Sequence, residues 1–287
     1  MKKPVLVKVL LILSVISVLM MALSSCGTSS NGDKLAEIKK KGYISVGTSP
    51  DFPPNEFYVL DENNQKQIVG SDIELAKAIA EKIGVKLEIK ATDFDGVLAN
   101  IQAGQIDMGI SGFAATEARK QVMQFSTGYQ RSSSAGYQGI LTTKDNADIY
   151  ADLDSFKDAE PVLGAQRASI QYEMALKLTV DSNIKQLGTI DALALALDAG
   201  DLDAVIVASE SAEPLLQTFT DFVILPKSGF DLDPEGMYST NVIGFPLGEE
   251  YQSLIELCDE VIEESRAAGL LEQWVEEAKE LRDLQTE

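Results

Sequence analysis

Apolar residues recur along this chain at two spacings, and their alternation predicts its architecture. Residues 43–48 and 85–90 are short runs with the alternation and β-branched content of strands. Between them Ile73, Ala76, Ile79, Ala80 and Ile83 fall on one face of a helix. Ser71 and Glu74 have capping-box spacing at its start, and Gly84 suits its end. A second helix fits residues 95–103, closed by Gly104, and residues 106–111 follow as a strand. Strand and helix alternating in this way imply parallel pairing with crossover helices. The pattern recurs with a strand at 162–166, helices at 170–178 and 191–199, the latter stopped by Gly200, and a strand at 203–207. Two C-terminal helices are marked by Leu254, Cys258, Val261 and Ile262, then by Leu271, Trp274, Val275, Ala278 and Leu281. The expected architecture is two α/β lobes, and open α/β sheets take ligands beyond the carboxyl ends of their strands.

The N-terminus departs from this pattern. Lys2 and Lys3 precede an apolar run over residues 9–23, which is too short to span a bilayer comfortably, since a helix needs about 20 residues. The run ends Leu23-Ser24-Ser25-Cys26, which resembles the lipobox of bacterial lipoproteins and makes Cys26 the expected lipidation site. An ordinary secretory signal with an incidental cysteine is the alternative. Residues 1–25 are then a lipoprotein signal peptide and residues 26–34 a flexible, Gly/Ser-rich tether. Cys258, at helical spacing among Leu254, Val261 and Ile262, reads as a small buried hydrophobe, and no disulfide is expected.

Charge narrows the function. The 287 residues carry 24 Lys and Arg, 45 Asp and Glu and no His, for −21; without the three lysines of residues 1–25 the remainder carries −24. With no His, neither a Ser/His/Asp nor a Cys/His nucleophile is available, and no imidazole can bind zinc. An acidic chain without a basic run is a poor partner for nucleic acid or anionic lipid. No two glycines lie two residues apart, so the dinucleotide fingerprint is missing, as is a Walker-type phosphate loop. The run Asp231-Leu232-Asp233-Pro234-Glu235-Gly236 has the start of a calcium loop, but its twelfth position is Val242, which favours a turn. No metal site and no cofactor are expected.

Several segments, taken in order, resemble a known family. Gly47-Thr48-Ser49-Pro50-Asp51-Phe52-Pro53-Pro54-Asn55-Glu56-Phe57 and Gly70-Ser71-Asp72-Ile73-Glu74-Leu75-Ala76-Lys77-Ala78-Ile79 are similar to the start of extracellular solute-binding protein family 3, the polar amino-acid receptors of ABC importers. The similarity continues through Asp93-Phe94-Asp95-Gly96, Gly104-Gln105-Ile106-Asp107-Met108 and Ile110-Ser111-Gly112 to Arg119-Lys120-Gln121. It resumes weakly at Gly164-Ala165-Gln166 and Asp203-Ala204-Val205-Ile206-Val207. The resemblance implies an α/β fold of the periplasmic-binding-protein type II kind, two α/β lobes joined by a two-strand hinge. Lobe 1 would comprise residues 35–128 and 242–287, lobe 2 residues 134–235, with the hinge near 129–133 and 236–241.

The same resemblance assigns expected ligand contacts. Arg119, in the first turn of a helix beginning near Thr116, would fork onto an α-carboxylate, two parallel guanidinium donors matching two carboxylate oxygens; its alternative is a solvated surface arginine. The amide of Ala114 would assist, the Gly112 carbonyl would accept from the ligand amine, Phe52 and Phe94 would sandwich the ligand side chain unless they are simply core, and Ser49 is counted among the ligand-binding residues. From lobe 2, Gln166, Ser169 and the Ile170 amide would close over the carboxylate, with Ser169 equally readable as a helix N-cap. Two departures stand out: Ala114 replaces a common Thr, and Ala208 replaces the acid that usually pairs with the ligand ammonium, leaving Glu210 as the nearby substitute. Asn55 replaces a common aromatic. The expected protein is a monomeric, membrane-tethered receptor that closes on a polar amino acid or related carboxylate, delivers it to an ABC permease and performs no catalysis. The alternatives are a dehydratase-like enzyme using Glu56, Asp51 or Glu210, and a sensor domain on the same fold.

Overall fold

Asp33 caps the first described helix: its side chain accepts the Leu35 N–H at 3.1 Å ahead of α1 (Lys34–Lys41), so this helix starts inside the segment expected as tether. The computed structural model describes residues 32–131 and 136–284. The expected signal peptide 1–25, Cys26 and most of the tether lie outside the described residues, as do residues 132–133 of the first hinge segment. After α1 come β1 (Tyr43–Thr48), β2 (Asp51–Phe52), β3 (Glu56–Leu60) and β4 (Lys66–Val69), the last three forming a small antiparallel sheet. Then follow α2 (Ser71–Ile83), β5 (Lys86–Ala91), α3 (Phe94–Gln102), β6 (Met108–Phe113), α4 (Glu117–Lys120), β7 (Met123–Phe125) and β8 (Gln130–Arg131). The second half contains β9 (Gln138–Thr143), β10 (Leu163–Gln166), α5 (Ile170–Ala175), β11 (Ile184–Leu187), α6 (Ile190–Asp198), β12 (Ala204–Ala208), α7 (Ser209–Thr218) and β13 (Phe222–Ile224). The chain ends with β14 (Thr240–Pro246), α8 (Gln252–Ala267) and α9 (Leu270–Leu284).

Two main sheets result. The first runs β5-β1-β6-β14-β7, with β1 parallel to β5 and β6, and β14 antiparallel to β6 and β7. The second runs β11-β10-β12-β9-β13, with β10 parallel to β11 and β12, and β9 antiparallel to β12 and β13. Both have strand-order reversals at their centres, the position where open α/β sheets bind ligands. Each is filled from both faces, because successive strand residues point opposite ways. Ile140 and Ile206 pack with Phe156 and Leu163 on one side of the second sheet, while Leu141 and Val205 meet Leu193 and Leu197 on the other. In the first sheet Ile44 and Val46 meet Ile79, Leu254 and Ile262, while Phe113 meets Val97, Ile101 and Met123. Cys258 is fully buried in the former cluster, as its helical spacing suggests. β8 pairs with the start of β14, Asn241 opposite Gln130, where the chain passes between the halves.

Two local expectations change. Ser71 does not cap α2: Gly70, at φ +129°, occupies the cap position, and a Cβ there would sit 2.1 Å from the Asn55 carbonyl oxygen. The Ser71 hydroxyl instead approaches Gln130 at 3.3 Å. The strand expected from 106 starts at Met108, because Asp107 turns its carboxylate back to the Ser45 amide (2.7 Å) and to Lys41 (2.7 Å). The Asp231–Gly236 stretch is a turn, with Asp233 accepting the Met237 and Tyr238 amides at 2.9 Å.

Candidate ligand-binding site

A cavity of about 780 Å³ lies at the carboxyl ends of both sheets, lined by residues from each. Gly47 to Ser49 run straight out of β1 into a loop whose Pro53–Pro54 bond is cis, and this loop carries Asp51 and Phe52 to the rim. β6 delivers Ser111 and Gly112, and the chain after it delivers Ala114 and Arg119. From the second sheet, β10 ends in Gln166 at the cavity, followed by Ser169 and Ile170, while β12 ends in Ala208 and Glu210 follows as the second residue of α7. Phe94 closes the wall at the first residue of α3.

Arg119 is the unusual group. It is only 9 % exposed, and burial lowers its pKa to about 10, well under the ordinary arginine value. Thr116 caps the short α4 by accepting the Arg119 N–H at 3.2 Å, which sets the side chain's direction. Nη1 donates to the Ala114 carbonyl at 2.9 Å, Nη2 donates to the Ala168 carbonyl of the other lobe at 3.1 Å, and the guanidinium lies 5.3 Å from the Phe94 ring centroid. Among the described residues no carboxylate comes within ion-pair distance of it. A guanidinium makes up to five donations, so donors remain on a buried cation at the cavity wall.

Acids line the same cavity. Asp51 accepts Gln166 Nε2 at 2.9 Å and the Ile190 amide at 2.8 Å across the lobes, and Ser49 Oγ at 2.9 Å from its own loop. Desolvation outweighs these donors and raises its pKa to about 6. Glu56, wholly buried in the floor, accepts Ser111 Oγ at 2.7 Å; burial first and the neighbouring Asp72 next push its carboxyl well above the ordinary range. Glu210 packs against Gly136, where a Cβ would lie 2.7 Å from its Oε2. Gly112, at φ +56°, allows the Phe52 ring to lie against the backbone, since a Cβ would be 2.9 Å from that ring.

Phe52, Phe94, Gly112, Ala114, Arg119, Gln166, Ser169, Ile170 and Glu210 thus come together around one space. Ser49 does not line it: its hydroxyl is turned to Asp51 and its amide to Ser111 Oγ at 3.0 Å, so it stands behind the wall. Ser169 is an N-cap, accepting the Tyr172 amide at 3.2 Å, and also borders the cavity. Arg119 is buried where a solvated arginine was the alternative, and Phe94 belongs to a core cluster while also bordering the cavity. Sequence reasoning missed Gln138 and Gln171, whose side chains join at 2.8 Å in the wall, and Tyr238. Their polar character at strand and helix ends is ordinary, and no local pattern marks them. Asp51, weighed only as an acid–base group, is a bridge between the lobes.

Two α/β lobes enclosing a polar cavity that contains a buried, carboxylate-free guanidinium define a ligand-capturing protein of the type II periplasmic-binding architecture. The chain belongs to the bacterial extracellular solute-binding proteins, family 3, whose family model matches residues 44–277. It is 31 % identical over 214 residues to the arginine-binding extracellular protein ArtP of Bacillus subtilis (strain 168), covering 74 % of this chain and 77 % of that protein. It is 24 % identical over 262 residues, 91 % of each, to the L-cystine-binding protein TcyJ of Escherichia coli (strain K12). Among solved structures, the amino acid ABC transporter substrate-binding protein AbpA of Streptococcus pneumoniae Canada MDR_19A, bound to L-arginine, superposes with a TM-score of 0.74 at 32 % identity, covering 86 % of this chain and 98 % of that one. The comparisons support a solute-binding role in transport over the enzyme and sensor alternatives.

Proposed function

We propose that this protein is the receptor of an ABC amino-acid importer and that its ligand is a cationic α-amino acid of the L-arginine class. The observation that carries the reading is Arg119: a buried guanidinium with spare donors and no carboxylate partner among the described residues, bonded to backbone carbonyls of both lobes. A ligand α-carboxylate completes it, and the adjacent Ala114 and Ile170 backbones supply further amides. Phe52, Phe94, Asp51 and Glu56 all line the cavity, and the ligand side chain is assigned to the space these rings and acids border. Relatives whose names or bound ligands include arginine support the class. Glu210, in the first turn of α7, is assigned to the ammonium in place of the acid that Ala208 lacks; a buried ammonium needs an anion or equivalent acceptors.

The proposed mechanism is a hinge equilibrium. The crossing segments near 129–133 and 236–241 join a lobe of residues 35–128 and 242–287 to one of residues 134–235. Ligand contacts made to both lobes at once favour the closed form. The closed form also gains Asp51 to Gln166 and Ile190, Arg167 to Asp95 at 3.0 Å, and Arg282 to Glu213 at 3.0 Å. We further propose secretion through residues 1–25, lipidation at Cys26 and action as an anchored monomer beside a permease. A thermal-shift screen against the amino acids, polyamines and organic acids tests the ligand class: a ligand at 100 times its Kd adds about 2.7 kcal/mol. Stabilisation by L-arginine and L-lysine is expected, and stabilisation only by ligands without a carboxylate refutes the reading.

A further inference from the structure

At the cavity wall two acids meet, and among the described residues no cation pairs with either. Glu56, the first residue of β3, and Asp72, in the first turn of α2, are both 0 % exposed and lie close enough for each to bear on the other's protonation. Glu56 Oε1 accepts from Ser111 Oγ at 2.7 Å. Asp72 Oδ2 accepts the Gly112 N–H at 3.0 Å and the Tyr129 O–H at 2.7 Å. The other two oxygens, Glu56 Oε2 and Asp72 Oδ1, are buried and find no donor. Two carboxylates cannot satisfy one another, because both only accept; one proton between them satisfies both orphaned atoms.

The surroundings decide which group carries that proton. Asp72 has two strong donors and the positive end of α2, all favouring its ionised form. Glu56 has one hydroxyl donor and faces the charges of Asp72 and of Asp51 on β2. The remaining neighbours, Asn55, Ser71 and Gln130, are neutral and hydrogen-bonded among themselves. Arg119, the cation of the cavity wall, is engaged with the Ala114 and Ala168 carbonyls and makes no ion pair with either acid. A second negative charge in this floor has nothing to balance it while the cavity is empty of cations.

We propose that Glu56 and Asp72 share one proton in the ligand-free protein and that a cationic ligand side chain displaces it, so that capture of a cationic amino acid releases a proton and capture of a neutral one does not. In this step the Glu56 O–H bond breaks, its electron pair stays on Oε2, the proton passes to solvent, and the ligand's positive charge replaces it, leaving the buried charge unchanged. Asp72, which does not reach the cavity, is a positioning residue that sets the protonation of Glu56. The inference rests on the arginine-class reading above.

The test is calorimetric titration of the protein with L-arginine and with L-citrulline, its neutral analogue, between pH 5.5 and 8 in buffers of different ionisation enthalpy. Arginine binding is expected to release about one proton at the acid end and to tighten by up to about tenfold per pH unit below the pair's apparent pKa; citrulline binding releases none. In Glu56→Gln the amide donates permanently to Asp72, so the arginine pH slope disappears and arginine loses its advantage over citrulline. In Asp72→Asn the new amide donates to Glu56 and leaves it ionised, so arginine binds without proton release. Arginine binding by the wild type with no proton exchange across this range overturns the proposal, as does a release that survives Glu56→Gln and vanishes in Asp51→Asn. If neither amino acid binds, the arginine-class reading fails by itself. The pair is then read by infrared difference spectroscopy of wild type against Glu56→Gln at pH 7: a protonated carboxylic-acid carbonyl band in the wild type supports the shared proton, and its absence refutes it.

Discussion

At the scale of single residues, buried polar groups decide which ligand groups the site can take. Glu210 and Ala208 give the sharpest test of the ligand's ammonium. If Glu210 pairs with it, Glu210→Gln weakens L-arginine by about 2 kcal/mol or more, the range for a hydrogen bond to a charged group, and Ala208→Asp strengthens binding or rescues that loss. Equal affinities in all three proteins, measured by calorimetry, remove Glu210 from the site. Asp51 gives a pH signature. Its pKa in the closed fold, about 6, lies above the ordinary aspartate value, chiefly through desolvation. The folded state therefore holds this proton more tightly than the unfolded chain. Its stabilising contribution is complete below about pH 4 and is lost as pH rises through about 6. Thermal melts between pH 4 and 7 should fall less steeply in Asp51→Asn than in the wild type; identical slopes count against a desolvated Asp51.

At the scale of elements, positions with positive φ hold the loops against the cavity. Gly112 sits at φ +56° with the Phe52 ring and the Asn55 amide where a Cβ would go. Gly112→Ala should cost about 1–2 kcal/mol from backbone conformation alone, and should weaken ligand binding by moving Phe52. An unchanged melting temperature contradicts this. The periodicities of residues 43–48, 71–83 and 252–267 were legible because each element shows one face to a core, and burial enforces spacing. Arg119, Gln166 and Phe94 were legible through the family resemblance, and no local pattern marks them. What could not be read depends on neighbours far along the chain. The Gln138–Gln171 pair joins β9 to α5, Ser71 yields its expected capping role to Gly70 because the Asn55 carbonyl lies so close, and Ser49 turns toward Asp51 and away from the cavity.

At the scale of the whole molecule, closure is the proposed mechanism, and the contacts that span the lobes divide into weak and strong. Arg282–Glu213 and Arg167–Asp95 lie at the rim, with Glu213 and Arg167 about half exposed. Although Arg282 itself is largely covered, a pair whose partner is this exposed to solvent is screened and contributes roughly 0.2–1 kcal/mol, so Arg282→Ala should change ligand affinity less than about fivefold, and a larger loss would make this pair a principal latch. Arg119 is different, since it is buried and bonded to backbone carbonyls of both lobes, and the proposed ligand carboxylate pairs with it. Truncating one partner of a desolvated, hydrogen-bonded charge pair costs about 2–5 kcal/mol. Lysine does not replace it, because a point charge lacks the planar fork. The central claim is therefore tested most directly by calorimetric titration of L-arginine into wild type, Arg119→Ala and Arg119→Lys. One-to-one binding by the wild type and at least tenfold weaker binding by both variants is the expected result. Binding by a folded Arg119→Ala protein as tight as wild type would contradict it.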